Sequence, residues 1–478
     1  MKKLLILILP ALFMVSCVKD LQDYNVDTKN PSKVAAEPLF ANGTKSMNDW
    51  MATINVNTNV FCFYAQYLTA TTYVDEPRYN MTTRTIPQAL WNAMYVSTLA
   101  NFKESARLLK EDKVVSEDNP QKKNKYAMIE IMNVYAYSLL VNTFGDIPYS
   151  QALDVNNPQP VYDDAKTVTL DLFKRLDAAI AQITPDAGGF GSADLVYGGD
   201  AAKWLKFGNS LKLKLAMLLS DADNADAKTF ASAAIASGNL ILDNADNATL
   251  AYLASPPNNN PLSSNVPPIS SRQDYVAANT IIDYMNSTSD ARRASYFTTV
   301  DGAYVGGKYG FTSPYGNNSH LSTNVTATST PNVMLDASEV HFLLAEAIER
   351  GFTTGTAADE YNAAIRASFD YWGAGSADDY LAQDKVNYTN AASGATWQEK
   401  IGVQKWVSLF NRNYDGWTSW RQLNFPALVK PDAPTVPDIP TRLIYPIIEN
   451  SLNKGNTEAA AAKIGGDSPN TKLWWDVN

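Results

Sequence analysis

The sequence predicts a mainly α-helical protein that is interrupted by two irregular regions. Apolar residues recur at helical spacing along most of the 478 residues. An apolar run at 126–141 contains neither Gly nor Pro and is long enough for about four helical turns. The irregular regions, at about 55–87 and 254–331, are rich in Asn, Tyr and either Thr or Ser. Loops of this length in a compact protein are usually functional or disordered, and their aromatic content argues against simple disorder.

The first half of the chain supplies three predicted helices, at 88–110, 126–141 and 171–183. The polar members of the second helix, Glu130, Asn133 and Ser138, fall on one side, which predicts burial of most of its faces. Gly145 is predicted to end this helix because glycine tolerates the left-handed turn that often follows a helix. Pro148 cannot continue a helix and stiffens the exit.

The later helical patterns come in pairs. Residues 202–219 are followed by 228–237, and residues 338–350 by 357–371. The last pair spans about 34 residues and has small residues where two helices could approach closely. From spacing alone, degenerate tetratricopeptide units and generic helical hairpins fit equally well. The second irregular region has one predicted helix, at 274–285.

The first 17 residues have the organisation of a lipoprotein signal. Two lysines precede an apolar run from Leu4 to Val15, which is too short to span a membrane. Residues 14–17, M-V-S-C, resemble a bacterial lipobox, and cleavage in that class leaves Cys17 as the lipid-modified first residue. The only other cysteine is Cys62, which is predicted to be a small buried apolar residue. The net charge of −10 argues against a nucleic acid partner.

Four sequence blocks resemble the SusD/RagB family, the nutrient-binding surface lipoproteins of Bacteroidetes. Residues 144–153 read F-G-D-I-P-Y-S-Q-A-L, residues 404–428 contain Q-K-W-V-S-L-F and W-T-S-W-R-Q-L, residues 439–449 read I-P-T-R-L-I-Y-P-I-I-E, and the chain ends near L-W-W-D. The blocks are in the family's order and are similar to the SusD-like 2 branch. The chain departs from the family's pattern at Ser419 and Gln422, which we interpret as surface changes.

The resemblance implies a right-handed solenoid of four tetratricopeptide-like helix pairs, with an irregular, loop-rich portion that carries the ligand site. It implies a signal peptide at 1–16, a lipidated tether at 17–36 and a single domain at 37–478. It also implies a location on the outer membrane, facing the cell exterior. The expected function is capture of an oligosaccharide and its delivery to a SusC-like TonB-dependent transporter. An oligopeptide ligand, or a surface adhesin without a small ligand, remains the alternative.

No pattern in the sequence predicts catalysis, a cofactor or a metal. The chain has two histidines, and metalloprotease, paired C-x-x-C and G-x-S-x-G motifs are absent. Residues 302–308 match the spacing of a phosphate-binding loop, but the next residue is Tyr309 instead of Ser or Thr. The acid-rich segment 221–226 lacks the glycine and the terminal glutamate of an EF-hand. We therefore interpret it as a solvated loop and not as a calcium site. His341, within an apolar helical pattern, is predicted to be structural.

The candidate ligand residues lie in or next to the irregular regions. A saccharide receptor needs flat aromatic rings for the C–H faces of sugars, and amides or charges for their hydroxyl groups. The glycine-flanked tyrosines of the second region are the strongest candidates, whereas Tyr64 and Tyr67 are in an apolar context that favours the core. The predicted ligand-binding residues are Tyr73, Arg78, Tyr79, Trp91, Tyr304, Tyr309 and Tyr315.

The blocks near the C-terminus that resemble the family are predicted to serve the structure. Trp406, Leu409 and Phe410 have helical spacing that suits a core. Three arginines, Arg412, Arg421 and Arg442, could pair with carboxylates or carbonyl groups and so connect elements. Abundant tryptophan and tyrosine in such blocks usually indicates packing.

Overall fold

The computed structural model describes residues 34–478 and is mainly α-helical. The predicted signal peptide, Cys17 and most of the predicted tether lie outside the described residues. The α-helices of seven or more residues are α1 (Ala36–Ala52), α2 (Ile86–Asn92), α3 (Ala100–Glu111), α4 (Pro120–Phe144), α5 (Ala165–Gln182), α6 (Ala201–Leu218), α7 (Asn224–Ala236), α8 (Asn279–Ser287), α9 (Ala337–Glu349), α10 (Ala357–Tyr371), α11 (Trp397–Ser408), α12 (Asn413–Leu423) and α13 (Lys454–Lys463).

Four pairs of these helices form the scaffold. Helix α1 packs against α3, α4 against α5, α6 against α7, and α9 against α10. Successive pairs also contact each other through α3 and α4, α5 and α6, and α6 and α9, so the pairs stack in a continuous series. The mainly helical fold class and the predicted pairs are confirmed.

Helix α4 is the central element, as its apolar sequence predicts. It begins at Pro120, six residues before the predicted start, because the Asn119 side chain accepts a hydrogen bond from the backbone N–H of Lys122 and caps the first turn. It ends at Phe144, where Gly145 has a φ of 86°. Residues Ile147–Pro148 (β2) then pair with Tyr162–Asp163 (β3) in a short antiparallel ladder.

The helix predicted at 88–110 is irregular in its middle. Helices α2 and α3 are joined without a break by the π-helical segment Ala93–Leu99. The π-helix is rare, and sequence periodicity at 3.6 residues does not reveal it. Its buried residues, which include Met94, Tyr95 and Leu99, face the core that α1 and α4 also line.

The predicted helix at 274–285 is wrong over its first part. Tyr275–Ala277 (β5) is a strand that pairs with Leu68–Ala70 (β1), and α8 begins only at Asn279. The tertiary pairing prevails here because β5 is buried on both faces and its partner lies about 200 residues away in sequence. A third ladder joins Ala248–Leu250 (β4) to Asn332–Leu335 (β6).

The C-terminal blocks have the predicted structural role. Trp406, Leu409 and Phe410 are buried. The guanidinium of Arg421 lies 3.5 Å from the ring centre of Trp417 and donates to the carbonyl oxygens of Asn142 (2.8 Å) and Thr441 (2.9 Å). Cys62 is also buried, as predicted.

The interpretation of Ser419 and Gln422 as surface positions is wrong. Both residues are buried on α12. The side-chain amide of Gln422 donates to the carbonyl oxygen of Met217 (2.7 Å) and to a carboxylate oxygen of Glu346 (2.9 Å), so it connects α12 to α6 and α9. A polar residue on a helix is buried without penalty when neighbouring elements satisfy its hydrogen bonds, and the sequence does not show those neighbours.

The chain terminus carries a pH-dependent contribution to stability. Burial raises the pKa of Asp476 from 3.8 to about 6, although Arg421 opposes the shift. A carboxyl with a raised folded-state pKa stabilises the fold below its unfolded pKa, and this contribution is lost as the pH rises through about 6. The loss amounts to about 2–3 kcal/mol.

We therefore expect Asp476→Asn to be more stable than the wild type at pH 7.5 and equally stable at pH 3.5. Urea unfolding at both pH values measures the difference in the free energy of unfolding. Asp384→Asn, on an exposed turn, is the control and should change neither value. Parallel pH profiles of Asp476→Asn and the wild type would contradict the prediction.

Candidate functional site

The two irregular regions form one portion of the molecule. Strand β1 belongs to the first region and β5 to the second, and their antiparallel ladder joins the two. Beyond the ladder, the backbone N–H of Thr71 donates to the carbonyl of Asp274 (3.0 Å), and that of Ser313 donates to Ala70 (3.2 Å). Regions that are far apart in sequence therefore meet in one surface. We call the surface formed by residues 55–87 and 254–331 the loop face.

A third segment closes one side of the loop face. The amide of Gln66, a fully buried residue, donates to the carbonyl of Val429 (2.6 Å) and accepts from its N–H (3.1 Å). The same amide oxygen accepts from the hydroxyl of Thr280 on α8 (2.9 Å). One side chain thus joins the first region, the second region and the segment after α12.

Tyr79 and Tyr309, both predicted to bind ligand, lie in the core instead. They are 1% and 2% exposed. The Tyr309 hydroxyl donates to the carbonyl of Phe63 (2.8 Å), and the ring of Tyr79 packs edge-on against Tyr64 at 5.7 Å. Neither residue offers a surface to a ligand in this structure, because the β1–β5 contact draws both loops onto the apolar segment at 61–67. We remove them from the candidate site.

Tyr73 and Arg78 remain on the loop face. Tyr73 is 53% exposed, and the guanidinium of Arg84 lies 5.7 Å from its ring centre. Arg84 is held there by an ion pair with the buried carboxylate of Glu76. Arg78 is half-buried, and its Nε donates to the carbonyl of Gly310 (2.9 Å), which fixes the loop of the second region against the first.

Tyr315 forms a stacked pair with His320, a residue that the sequence did not single out for ligand binding. Their ring centres are 4.2 Å apart and the planes differ by 8°. Both residues are half-buried. Burial lowers the pKa of His320 below 6.5, so its ring is neutral at pH 7. The sequence shows that Tyr315 and His320 are five residues apart across a Gly-Asn-Asn turn. It does not show that their rings stack, because stacking depends on the conformation of that turn.

Two further aromatic rings of the loop face lie beside cations. The ammonium of Lys308 lies 3.7 Å from the ring centre of Phe311, and the guanidinium of Arg293 lies 5.1 Å from that of Tyr304. Tyr304 and Phe311 are half-buried. These pairs keep the rings in fixed orientations, which lowers the entropy lost when a ligand stacks on them.

Trp91 is not part of the loop face. It is 7% exposed and packs edge-on against Phe144 at 5.1 Å. It lines a groove of about 230 Å³ together with Tyr95, Pro160 and Leu452. Trp91 therefore lines a groove that Tyr73, Tyr304 and Tyr315 do not line.

The loop face has the chemistry of a binding surface. It combines partly exposed rings with amides, such as the exposed Asn317, and with fixed cations. Within residues 34–478 no group of three or more His, Cys, Asp or Glu side chains is placed to hold a metal ion. None of the helices in this part of the chain has the length and apolar character that a membrane crossing needs.

A family model described as "Starch-binding associating with outer membrane", of the SusD-like 2 branch, matches residues 28–446. The chain belongs to the SusD-like family. The sequence blocks at 144–153 and 404–428 lie within this match, so the resemblance noted from the sequence is confirmed. No curated protein matches the sequence significantly.

Solved SusD-like structures share the whole architecture. A chitin-binding protein superposes with a TM-score of 0.81 at 26% identity, over 93% of this chain and 100% of its own. A chitin-binding SusD homologue from Flavobacterium johnsoniae gives 0.75 at 26% identity, over 91% and 98%. A SusD homologue from Bacteroides uniformis ATCC 8492 gives 0.77 at 29% identity, over 92% and 100%. The helical scaffold with its irregular portion is therefore the SusD-like fold.

Proposed function

We propose that this SusD-like protein captures oligosaccharides on its loop face and delivers them to a SusC-like TonB-dependent transporter. The observation that carries the proposal is the stacked Tyr315–His320 pair, placed on the same face as the exposed ring of Tyr73. The Ser313–Ala70 backbone contact lies two residues from Tyr315 and three from Tyr73. A linear glycan presents successive weakly apolar ring faces, and two aromatic groups on one surface suit that pattern.

Two further observations support a glycan ligand. The family description names starch, and two structural relatives are described as chitin-binding. Binding that must be reversed for delivery is expected at micromolar to millimolar Kd. The proposal involves no covalent step.

The test is calorimetry on protein that begins after Cys17, with N-acetylglucosamine oligomers, malto-oligosaccharides and peptides in parallel. We expect saturable binding of one glycan series. Tyr315→Ala and Tyr73→Ala should each weaken binding about tenfold, because each removes a stacking surface worth about 1.4 kcal/mol. The control is Tyr388→Ala, a half-buried tyrosine on the scaffold, which should leave the Kd unchanged.

Two outcomes would contradict the glycan proposal. Binding of peptides with both glycan series silent would replace the ligand by an oligopeptide. Glycan binding that survives Tyr315→Ala and Tyr73→Ala together would move the site away from the loop face. If no ligand binds to protein that is shown to be folded by its cooperative unfolding, an adhesin would be favoured.

The transporter part of the proposal is supported by an apolar ridge. Ile447, Ile448 and Leu452 are 53%, 46% and 57% exposed, and a groove of about 350 Å³ runs beside them, lined by Met81, Pro87 and Ile444. Clusters of exposed aliphatic side chains are uncommon on monomers and mark protein interfaces. A barrel transporter in the same membrane is the partner that delivery requires.

We expect Ile447→Glu combined with Ile448→Glu to abolish co-purification with the transporter while glycan binding in solution stays unchanged. Affinity purification of the tagged, membrane-anchored protein, followed by identification of barrel proteins, measures this. Val114→Glu, at a valine that is 95% exposed elsewhere, is the matched control. Retention of the transporter by the double variant would exclude the ridge as the docking surface.

The predicted lipid anchor is tested separately. Cys17→Ala should lose incorporation of labelled fatty acid and leave the outer-membrane fraction. External protease should cleave the wild type on intact cells if the protein faces the exterior.

A further inference from the structure

A polar groove lies on the scaffold between the start of α6 and the end of α10. It holds about 370 Å³, and its lining includes Tyr197, Lys203, Asn247, Thr249, Pro331 and Tyr371. We call it the Tyr371 groove. None of its lining residues is among the rings and cations of the loop face, and polar groups predominate in it, unlike the groove beside Ile447.

One wall of the Tyr371 groove is held rigid by hydrogen bonds. The hydroxyl of Tyr197 donates to the carbonyl of Asp246 (2.8 Å), and the ammonium of Lys203 donates to that of Ala245 (2.6 Å). The Asn247 amide oxygen accepts from the backbone N–H of Ala337, at the first turn of α9 (2.8 Å). The positions of these groups are thus set by α6, α9 and the turn before β4, without a ligand.

Several groups that line the groove have unused hydrogen-bonding capacity. In the described part of the chain, the hydroxyls of Tyr371 and Thr249 make no hydrogen bond to protein. Lys203 uses one of its three N–H groups, and Asn247 uses one of its two amide hydrogens, on Asn244. Polar groups that converge on a cavity and lack protein partners are the usual means of fixing the orientation of a bound ligand.

The geometry points to an accessory saccharide site in the Tyr371 groove, which takes the same class of glycan as the loop face. A sugar unit offers hydroxyl groups to Tyr371, Thr249, Lys203 and Asn247, and a C–H face to the two tyrosine rings. An apolar ligand would leave these groups unpaired. An anionic ligand would meet a single cation, Lys203, among the lining residues. This inference rests on the proposed glycan capture and adds a second site, which binds independently of the loop face.

The experiment is fluorine NMR on protein that begins after Cys17 and is labelled with 3-fluorotyrosine. The Tyr371 and Tyr315 signals are assigned with Tyr371→Phe and Tyr315→Phe. N-acetylglucosamine and malto-oligosaccharide oligomers are titrated into the wild type and into Tyr315→Ala. We expect the Tyr371 signal to move with the same apparent Kd in both proteins. The double variant Lys203→Gln, Thr249→Val should weaken that response about tenfold and leave the Tyr315 response unchanged.

The outcomes separate the two claims. A Tyr315 signal that moves while the Tyr371 signal stays fixed would overturn the accessory site alone. Equal movement of the Tyr371 signal in the double variant and the wild type would also overturn it. A protein in which neither signal responds to any glycan would overturn both the accessory site and the proposed function. Lys174→Gln, on the surface of α5, is the control substitution.

Discussion

Replacement of Arg412 by methionine is expected to lower the free energy of unfolding by about 3–5 kcal/mol, because it removes a buried cation shared by three buried carboxylates. Glu339 and Asp415 keep Lys214 as a partner, whereas Asp336 is left without an ion pair among the residues that the structure describes. Arg412 is 7% exposed and forms ion pairs with Asp336 (3.1 Å), Glu339 and Asp415 (2.8 Å). The three acids belong to the start of α9 and to α12, so one guanidinium joins two scaffold elements. Methionine keeps most of the side-chain volume and removes the charge.

The pH dependence identifies the mechanism. Glu339 is buried, which opposes its ionisation, but Lys214 and Arg412 lower its pKa from 4.5 to about 2. A carboxylate with a lowered folded-state pKa stabilises the fold above its unfolded pKa, and this contribution is lost as the pH falls from 4.5 towards 2. The difference between the wild type and Arg412→Met should therefore be largest near pH 7 and shrink below pH 4.5.

Urea unfolding at pH 7 and pH 3.5 measures this prediction. Arg366→Met, which removes an exposed ion pair with Asp378, is the matched control and should behave as the wild type. If Arg412→Met lowers the free energy of unfolding by the same amount at both pH values, the loss of packing and not the loss of charge is responsible.

Arg292→Met is expected to release the second irregular region from the scaffold at a cost of about 3–5 kcal/mol. Arg292 and Asp290 are both fully buried, and Nε and Nη2 of the arginine donate to the two carboxylate oxygens at 3.0 and 2.7 Å. Nη1 donates to the hydroxyls of Ser368 on α10 (2.9 Å) and Ser408 on α11 (3.0 Å). The guanidinium also lies 4.8 Å from the ring centre of Phe369.

These contacts make Arg292 one of the points at which the second irregular region is attached to the scaffold. Hydrogen exchange should therefore show that Arg292→Met loses protection first in 275–321, while α4 and α6 stay protected. Glycan binding should weaken in parallel, since Tyr315 and His320 lie in the released segment. Arg366→Met, at an exposed arginine of α10, is the control and should change neither the protection nor the binding.

The double variant Asp290→Asn, Arg292→Met separates lost attachment from an unpaired charge. The double variant should be more stable than Arg292→Met, because no buried charge is left unpaired when both partners of the ion pair are replaced. Equal destabilisation of the single and double variants would show that the contacts with Ser368 and Ser408 dominate instead.

The two arginines illustrate what sequence can indicate about this fold. The C-terminal block predicted that Arg412 could pair with carboxylates or carbonyl groups, and in the structure it does both. Nothing in the sequence marked Arg292, because its partners Ser368 and Ser408 lie 76 and 116 residues away. Ser419 and Gln422 show the same limit, because their burial depends on how α6 and α9 pack against α12.

The sequence by itself determined the helical scaffold and the family. Periodic apolar residues and the Gly145 turn act over a few neighbouring residues, so α4 and the late pairs could be located, and contiguous motifs revealed the family. Which loop tyrosines are exposed depends on the tertiary structure. Tyr309 is buried because its hydroxyl meets the carbonyl of Phe63, 246 residues away, whereas Tyr315 stays half-exposed through its stack with His320. Burial of a loop residue depends on long-range contacts, which local patterns do not encode.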